Sequence, residues 1–342
     1  MRRFLKVAAL VAPLVVIACK SNSEPVTHTE PVADTEPVAH RKPVTHDSVT
    51  HPAVTGNAVT RILGFGGRPF GLTVTASGDV FVTEQDLNRA MRSDSLGGQP
   101  ANFASGRDPG DVVVSRSGTA FVSGYFDGTI TVVNLSKDTV TQTVQVASSN
   151  AYRVVLSKDE SQLFVTSNDG HLYTMNTSTR TVTGSIPLSA QSQGLTLNHA
   201  GTSLYASATS GVISRLDLPD LTTGKSTSLS CMAQDVALAT DDSELYVACE
   251  EGRVMVLDPV TLATKEIVSL SGAAPFGLAV SPDNAQLYIA SAMTRNLTII
   301  DRATRSVIMT LPIGGTPRRV AFNRLGNRAY VSNEGNWIDV IQ

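Results

Sequence analysis

The residues best suited to hold a ligand lie in short links that precede apolar runs: Arg68, Phe70, Arg107, Asp108, Asp111, Tyr152, Arg153, Gln193, Gln234, Asp235, Phe276, Arg318 and Arg319. Five arginines against three aspartates, with three aromatics between them, describe a modestly basic collar. Guanidinium groups grip carboxylates bidentately and rings add apolar contact, so the set suits a small anion or a sugar acid. The ligand candidates on this reading are Phe70, Arg107, Asp111, Tyr152, Arg153, Asp235, Phe276, Arg318 and Arg319. The alternative is internal neutralisation, of Asp111 by Arg153 and of Asp235 by a neighbouring arginine. Other turns carry Glu84, Asp86, Asp127, Asp169, Glu250, Glu251 and Glu334, an acidic rim around the collar.

Catalytic sets are harder to find. There is no Gly-rich phosphate loop opening a helix, no Ser nucleophile elbow and no CxxCH haem signature. The chain therefore implies no cofactor and no metal. A net charge of −3 over 342 residues argues against nucleic acid as a partner. With three cysteines the chain is neither a disulfide-dense scaffold nor a Cys-rich zinc protein. Cys231 and Cys249 stand at the two ends of one predicted hairpin and are a disulfide candidate, free buried thiols being the alternative.

These residues are positioned by a repeat. An aromatic followed by a small apolar residue recurs at Phe81, Phe121, Phe164, Tyr205, Tyr246, Tyr288 and Tyr330, at gaps of 40, 43, 41, 41, 42 and 42. Each unit reads as a first strand after its link, a turn such as SRSGT or SPDNA, a second strand with the aromatic, a third ending in Asn or Asp, and a Thr/Val-rich fourth. Seven four-stranded units at this period predict an all-β fold, a seven-bladed β-propeller over residues 57–342. The last unit stops after three strands, whereas residues 58–65 read as an orphan fourth strand. The N-terminal strand is therefore expected to pair with the C-terminal blade and close the ring. Blade 1 departs from the pattern after Thr83 and shows no Thr/Val-rich fourth strand. Trp337, the lone tryptophan, opens the third strand of the last blade and reads as a packing residue.

The runs Phe164-Val165-Thr166-Ser167-Asn168 and Tyr330-Val331-Ser332-Asn333 resemble the YVTN-type seven-bladed propellers of bacterial envelope and surface-layer proteins. The resemblance implies a propeller and leaves function open, since such proteins include lactonase-like enzymes, amine dehydrogenase subunits and many without established activity. In a propeller, the links and the turns between second and third strands share one face around the channel. On that face only His171 could serve as a histidine base, because His199 falls on the opposite side. A lactonase-like hydrolase acting on a sugar-acid lactone would have to use an acid with an arginine clamp, or acidic metal ligands such as Glu84 and Asp235.

The N-terminus supplies an address. Arg2, Arg3 and Lys6 precede an apolar stretch from Val7 to Ile17, too short to span a bilayer comfortably and typical of an export signal, residues 1–18. Its end, Val16-Ile17-Ala18-Cys19, resembles a bacterial lipobox, which implies cleavage before Cys19 and lipidation of that cysteine. Lys20 rather than Asp follows it, which favours the outer membrane, facing the periplasm or the cell surface, over the inner membrane. Residues 19–56 repeat EPVTHT-like hexamers and read as an extended, Pro-rich disordered linker. Its His28, His40, His46 and His51 are too widely spaced in such geometry to share a metal. The expected protein is an envelope-anchored lipoprotein whose propeller binds a small anionic ligand or an envelope protein, tethered to the membrane by lipid.

Overall fold

The computed structural model of the chain describes residues 59–270 and 272–342. The expected signal peptide, Cys19 and the whole linker lie outside the described residues. No described helix is long and apolar enough to cross a membrane.

Seven four-stranded antiparallel sheets follow one another in the chain. The first strand of each sheet packs against the first strands of the two neighbouring sheets, and the last sheet packs against the first, which closes a ring around a central channel. The fold is that of a seven-bladed β-propeller. Blades 1 to 7 begin at Pro69, Pro109, Ala151, Ser192, Ala233, Pro275 and Pro317.

The repeated aromatics explain the stacking. Phe81 packs with Val112, Ala120 and Val122 of blade 2, Phe121 with Val154, Leu163 and Val165 of blade 3, and Phe164 with Leu195 and Leu204 of blade 4. Tyr205, Tyr246, Tyr288 and Tyr330 continue the pattern into blades 5, 6, 7 and 1. All seven are buried. Each blade thus inserts one large ring into the next, a contribution of about 1.5–3 kcal/mol per side chain before packing terms.

The ring closes as the sequence predicts. Val59–Leu63 pairs antiparallel with Trp337–Ile341, in the register Val59↔Ile341 to Leu63↔Trp337. The joint is clasped by polar groups. Arg61 lies over the Trp337 ring at 4.3 Å, donates to the Ile313 carbonyl at 2.6 Å and meets Asp339 at 3.3 Å. The buried Asp339 also accepts from Asn333 and from the Trp337 indole, both at 2.9 Å. Trp337 is therefore part of the clasp as well as a packing residue. Blade 1 has the fourth strand that the four-stranded units predict, Ala101–Ala104, and as expected it is not Thr/Val-rich. It is only four residues long, and Phe103 stacks on Phe81 at 5.6 Å, so one buried ring takes over the anchoring that alternation provides elsewhere.

Turn chemistry matches the Asn/Asp slots. Asn134, Asn176 and Asp258 each accept two backbone amides from the turn that follows, and Asp301 accepts the Thr304 amide at 2.7 Å. The exposed fourth strands of blades 2 to 6 each carry a register shift where they pair with the third. Such bulges twist an open edge away from flat pairing with another chain.

Candidate functional site

Every blade has a register shift early in its first strand, one residue or so after the link. In five blades a hydroxyl of the second strand accepts the amide freed there. Thr83 serves Gly71 at 2.7 Å, Ser123 serves Asp111 at 2.9 Å, Thr166 serves Arg153 at 3.1 Å, Ser207 serves Gly194 at 3.1 Å and Ser332 serves Arg319 at 3.0 Å. The Ser or Thr of the YVTN-like runs is thus the residue that satisfies the bulge.

The residues within or just after the shift form one level of the channel: Gly71, Asp111, Arg153, Gly194, Asp235, Gly277 and Arg319 in blades 1 to 7. The glycines are steric. A Cβ on Gly194 would stand 2.9 Å from the Asp235 Cα, and one on Gly277 2.0 Å from the Arg318 carbonyl oxygen. The four side chains at this level neutralise one another. Arg153 reaches Asp111 and Asp235, both at 3.4 Å, and Arg319 Nη1 lies 2.8 Å from Asp235 Oδ2. Asp111 also accepts the Val154 amide at 3.2 Å, and Asp235 the Leu278 amide at 3.4 Å. Asp111, Asp235 and Arg319 are at most 4% exposed. Burial nevertheless dominates at Asp111, raising its pKa against the pull of Arg153 and Arg319.

A second level, one residue earlier, is aromatic in blades 1, 3 and 6. Phe70 meets Tyr152 and Phe276 edge to face at 6.0 and 5.8 Å. The Arg319 guanidinium lies 5.3 to 5.9 Å from all three ring centres. Its contact with Asp235 is short but poorly aligned, and its N–H groups make no hydrogen bond of good geometry. Ring faces occupy the place that further oxygens would otherwise take. Arg318 lies over Phe276 at 4.4 Å and pairs with Glu334 at 2.7 Å. Charge and rings together cross the channel at these levels.

Backbone bonds tie the links to the second-to-third-strand turns on the same face, for example Tyr125 to Asp108, Asn168 to Asn150 and Glu334 to Thr316. Between two of these turns lies a shallow cavity of about 290 Å³ lined by Arg68, Gln85, Asp86, Asn88, Arg107, Asp108 and Phe126. Arg68 binds Gln85 at 2.9 Å and lies 3.4 Å from Asp86 and 3.6 Å from Glu334. Arg107 lies over Phe126 at 5.6 Å, and its guanidinium makes no ion pair among the described residues. Asp108 has its pKa raised by burial, with Arg68 working against it and Asp86 and Glu334 adding to it. The site at the mouth is thus mixed in charge and partly unpaired.

The structure divides the sequence-derived candidates into three groups. Asp111, Arg153, Asp235 and Arg319 come together as the charged level, Phe70, Tyr152, Phe276 and Arg318 as the aromatic one, and Arg107 stands apart on the mouth cavity. Glu84, expected on the rim, is fully buried and bound to Arg89, and burial raises its pKa. Its place at the end of a second strand concealed this, because only the irregular turn of blade 1 brings Arg89 back onto it. His171 lies 3.3 Å from Asp169, which also accepts from Tyr173 at 2.8 Å; burial and that bond push the Tyr173 phenol up to about 12. The His199 amide donates to Asp242 at 2.8 Å, and its turn lies on the opposite face. A disulfide joins Cys231 and Cys249, with their Cα atoms 5.6 Å apart. Among the described residues no group of three or more His, Cys, Asp or Glu is arranged to hold a metal. Sequence reasoning missed Gln85, Asn88 and Phe126 at the mouth; the irregular run after Thr83 was the available signal for the first two.

No family model and no curated protein matches the chain. Among solved structures it is similar to a chain of the Kuenenia stuttgartiensis hydrazine synthase, with 15% identity, a TM-score of 0.74, and coverage of 83% of this chain and 97% of that one. The likeness concerns the fold alone.

Proposed function

We propose that the protein is an envelope-anchored lipoprotein whose propeller is a binding module, using the mouth of the channel to take a small anionic ligand or an acidic group on an envelope protein. The observation that carries this reading is the pairing inside the channel. The acids and arginines that a hydrolase would use, Asp111, Arg153, Asp235 and Arg319, are spent on one another and covered by rings. What remains open is a shallow cavity in which Arg107 has an aromatic beside it and a free guanidinium edge. That arrangement holds a carboxylate without activating water. The N-terminal signal, Cys19 and the Pro-rich linker support an anchored location from sequence.

A panel of sugar acids and their lactones, offered to the full chain and read by thermal shift and by turnover, tests this. Stabilisation by a sugar acid, lost in Arg107→Gln and without lactone turnover, is the expected result. Lactone hydrolysis above the uncatalysed rate that disappears in Arg153→Ala would replace the binding module with the lactonase-like hydrolase.

A further inference from the structure

On the face opposite the mouth, the groove between blades 7 and 1 holds a cavity of about 520 Å³ lined by Ser77, Ser95, Asn323, Arg324, Arg328 and Tyr330, among others. None of its lining residues is an acid. Neither Arg324 nor Arg328 makes an ion pair among the described residues, and the Arg328 guanidinium has one long bond, 3.4 Å, to the Ser95 hydroxyl. Tyr330 is fully buried, yet its hydroxyl makes no hydrogen bond of good geometry. Burial raises the phenol pKa and the Asp94 charge adds to the rise, while Arg328 lowers it by donating toward the phenol oxygen and by its charge; Arg328 is a donor, so the phenol's own proton is left without an acceptor. A buried hydroxyl proton without an acceptor is costly, so it marks a place where an acceptor is missing.

The propeller contains its own control for this site. Two blades earlier, the equivalent ring is Tyr246, and the residue two positions before it is Glu244. There the glutamate is clasped by Arg302 at 3.3 Å and by Arg305, and the Tyr246 hydroxyl is bonded to Glu244 and accepts from Arg302 at 2.6 Å. One carboxylate, two guanidinium groups and a phenol satisfy one another. In the groove between blades 7 and 1 the position of Glu244 is taken by Arg328, and Arg324 adds a second guanidinium. Two bases and the phenol are present and the carboxylate is not. Nearby acids do not supply it: Asp94 accepts the Leu96 and Gly98 amides of its own turn, both at 2.8 Å, and Asp79 accepts from Ser77 at 3.2 Å.

We infer that this groove is an oxyanion site, in which a carboxylate or phosphate group from outside the chain plays the part that the Glu244 carboxylate plays in blade 5. Arg324 and Arg328 would hold its oxygens, and the Tyr330 hydroxyl would donate to it. The site is independent of the mouth cavity and stands or falls separately.

Calorimetric titration of the full chain at low ionic strength with inorganic phosphate, and separately with glucuronate, tests it. Saturable one-to-one binding of at least one probe is expected, weakened about tenfold by Arg324→Gln and several-fold by Tyr330→Phe, and unchanged by Lys137→Gln, which removes an exposed cation on another blade. A stronger phosphate arm would assign a phosphoryl ligand and a stronger glucuronate arm a carboxylate. Arg324 is exposed, so its substitution does not threaten the fold. Absence of saturable heat with both probes, or binding that survives both Arg324→Gln and Tyr330→Phe, would overturn the assignment.

Discussion

Replacing Asp235 by Asn is the most direct test of the charged level in the channel. Asp235 is 2% exposed and serves two guanidinium groups, Arg319 at 2.8 Å and Arg153 at 3.4 Å. The substitution keeps the shape and removes the charge, so Arg153 and Arg319 are left with Asp111 alone. At a charge separation of about 4 Å and an effective dielectric of about 20, each lost attraction is about 4 kcal/mol before desolvation is counted. Breaking a buried pair by removing one partner costs about 3–5 kcal/mol in practice, because the remaining charge stays buried. Against a total stability on the order of 5–15 kcal/mol, that is a large fraction. Urea unfolding followed by circular dichroism measures it, urea being chosen because it does not screen charge. A second variant separates charge from packing. Asp235→Asn combined with Arg319→Met removes the pair together, and it should recover much of the loss because an apolar replacement carries no unpaired charge. An Asp235→Asn protein within about 1 kcal/mol of the parent would refute a dry, paired channel and show that water reaches these groups.

Two further predictions concern closure and acid. Deleting residues 59–63 removes the strand paired with Trp337–Ile341 and with it Ile62 and Arg61; loss of a single cooperative unfolding transition is expected, and unchanged melting would contradict the closure. Glu244 has its pKa lowered: burial raises it, but the bonds from Tyr246, Arg305 and Arg302 outweigh that. Since the folded value lies below the unfolded one, its stabilisation is present above the ordinary glutamate range and is lost as pH falls through the folded value. The stability gap between the parent and Glu244→Gln should therefore narrow on acidification below about pH 4, and a gap independent of pH would refute the role given to this carboxylate.

The all-β class, the count of seven blades and the closing strand were legible from sequence because each depends on local pattern. Strand periodicity, turn residues and a ring every 40 to 43 residues are short-range properties, and the orphan strand at 58–65 completes a blade by simple counting. The place of the fourth strand of blade 1 was not, because Ala101–Ala104 is held by Phe103 on Phe81 rather than by alternation. The links that carry the collar residues were legible too, yet sequence left open whether Asp111 and Arg153, or Asp235 and an arginine, face a ligand or one another. That question is settled by distance across the ring, between residues more than 40 positions apart. Glycines at 71, 194 and 277 let the first strands approach closely enough for the charges of blades 2, 3, 5 and 7 to meet. The same holds on the opposite face, where Arg328 is unremarkable in sequence and becomes informative only beside Tyr330 and against its counterpart Glu244. Local chemistry is written residue by residue, whereas pairing across a closed ring depends on the geometry of all seven blades at once.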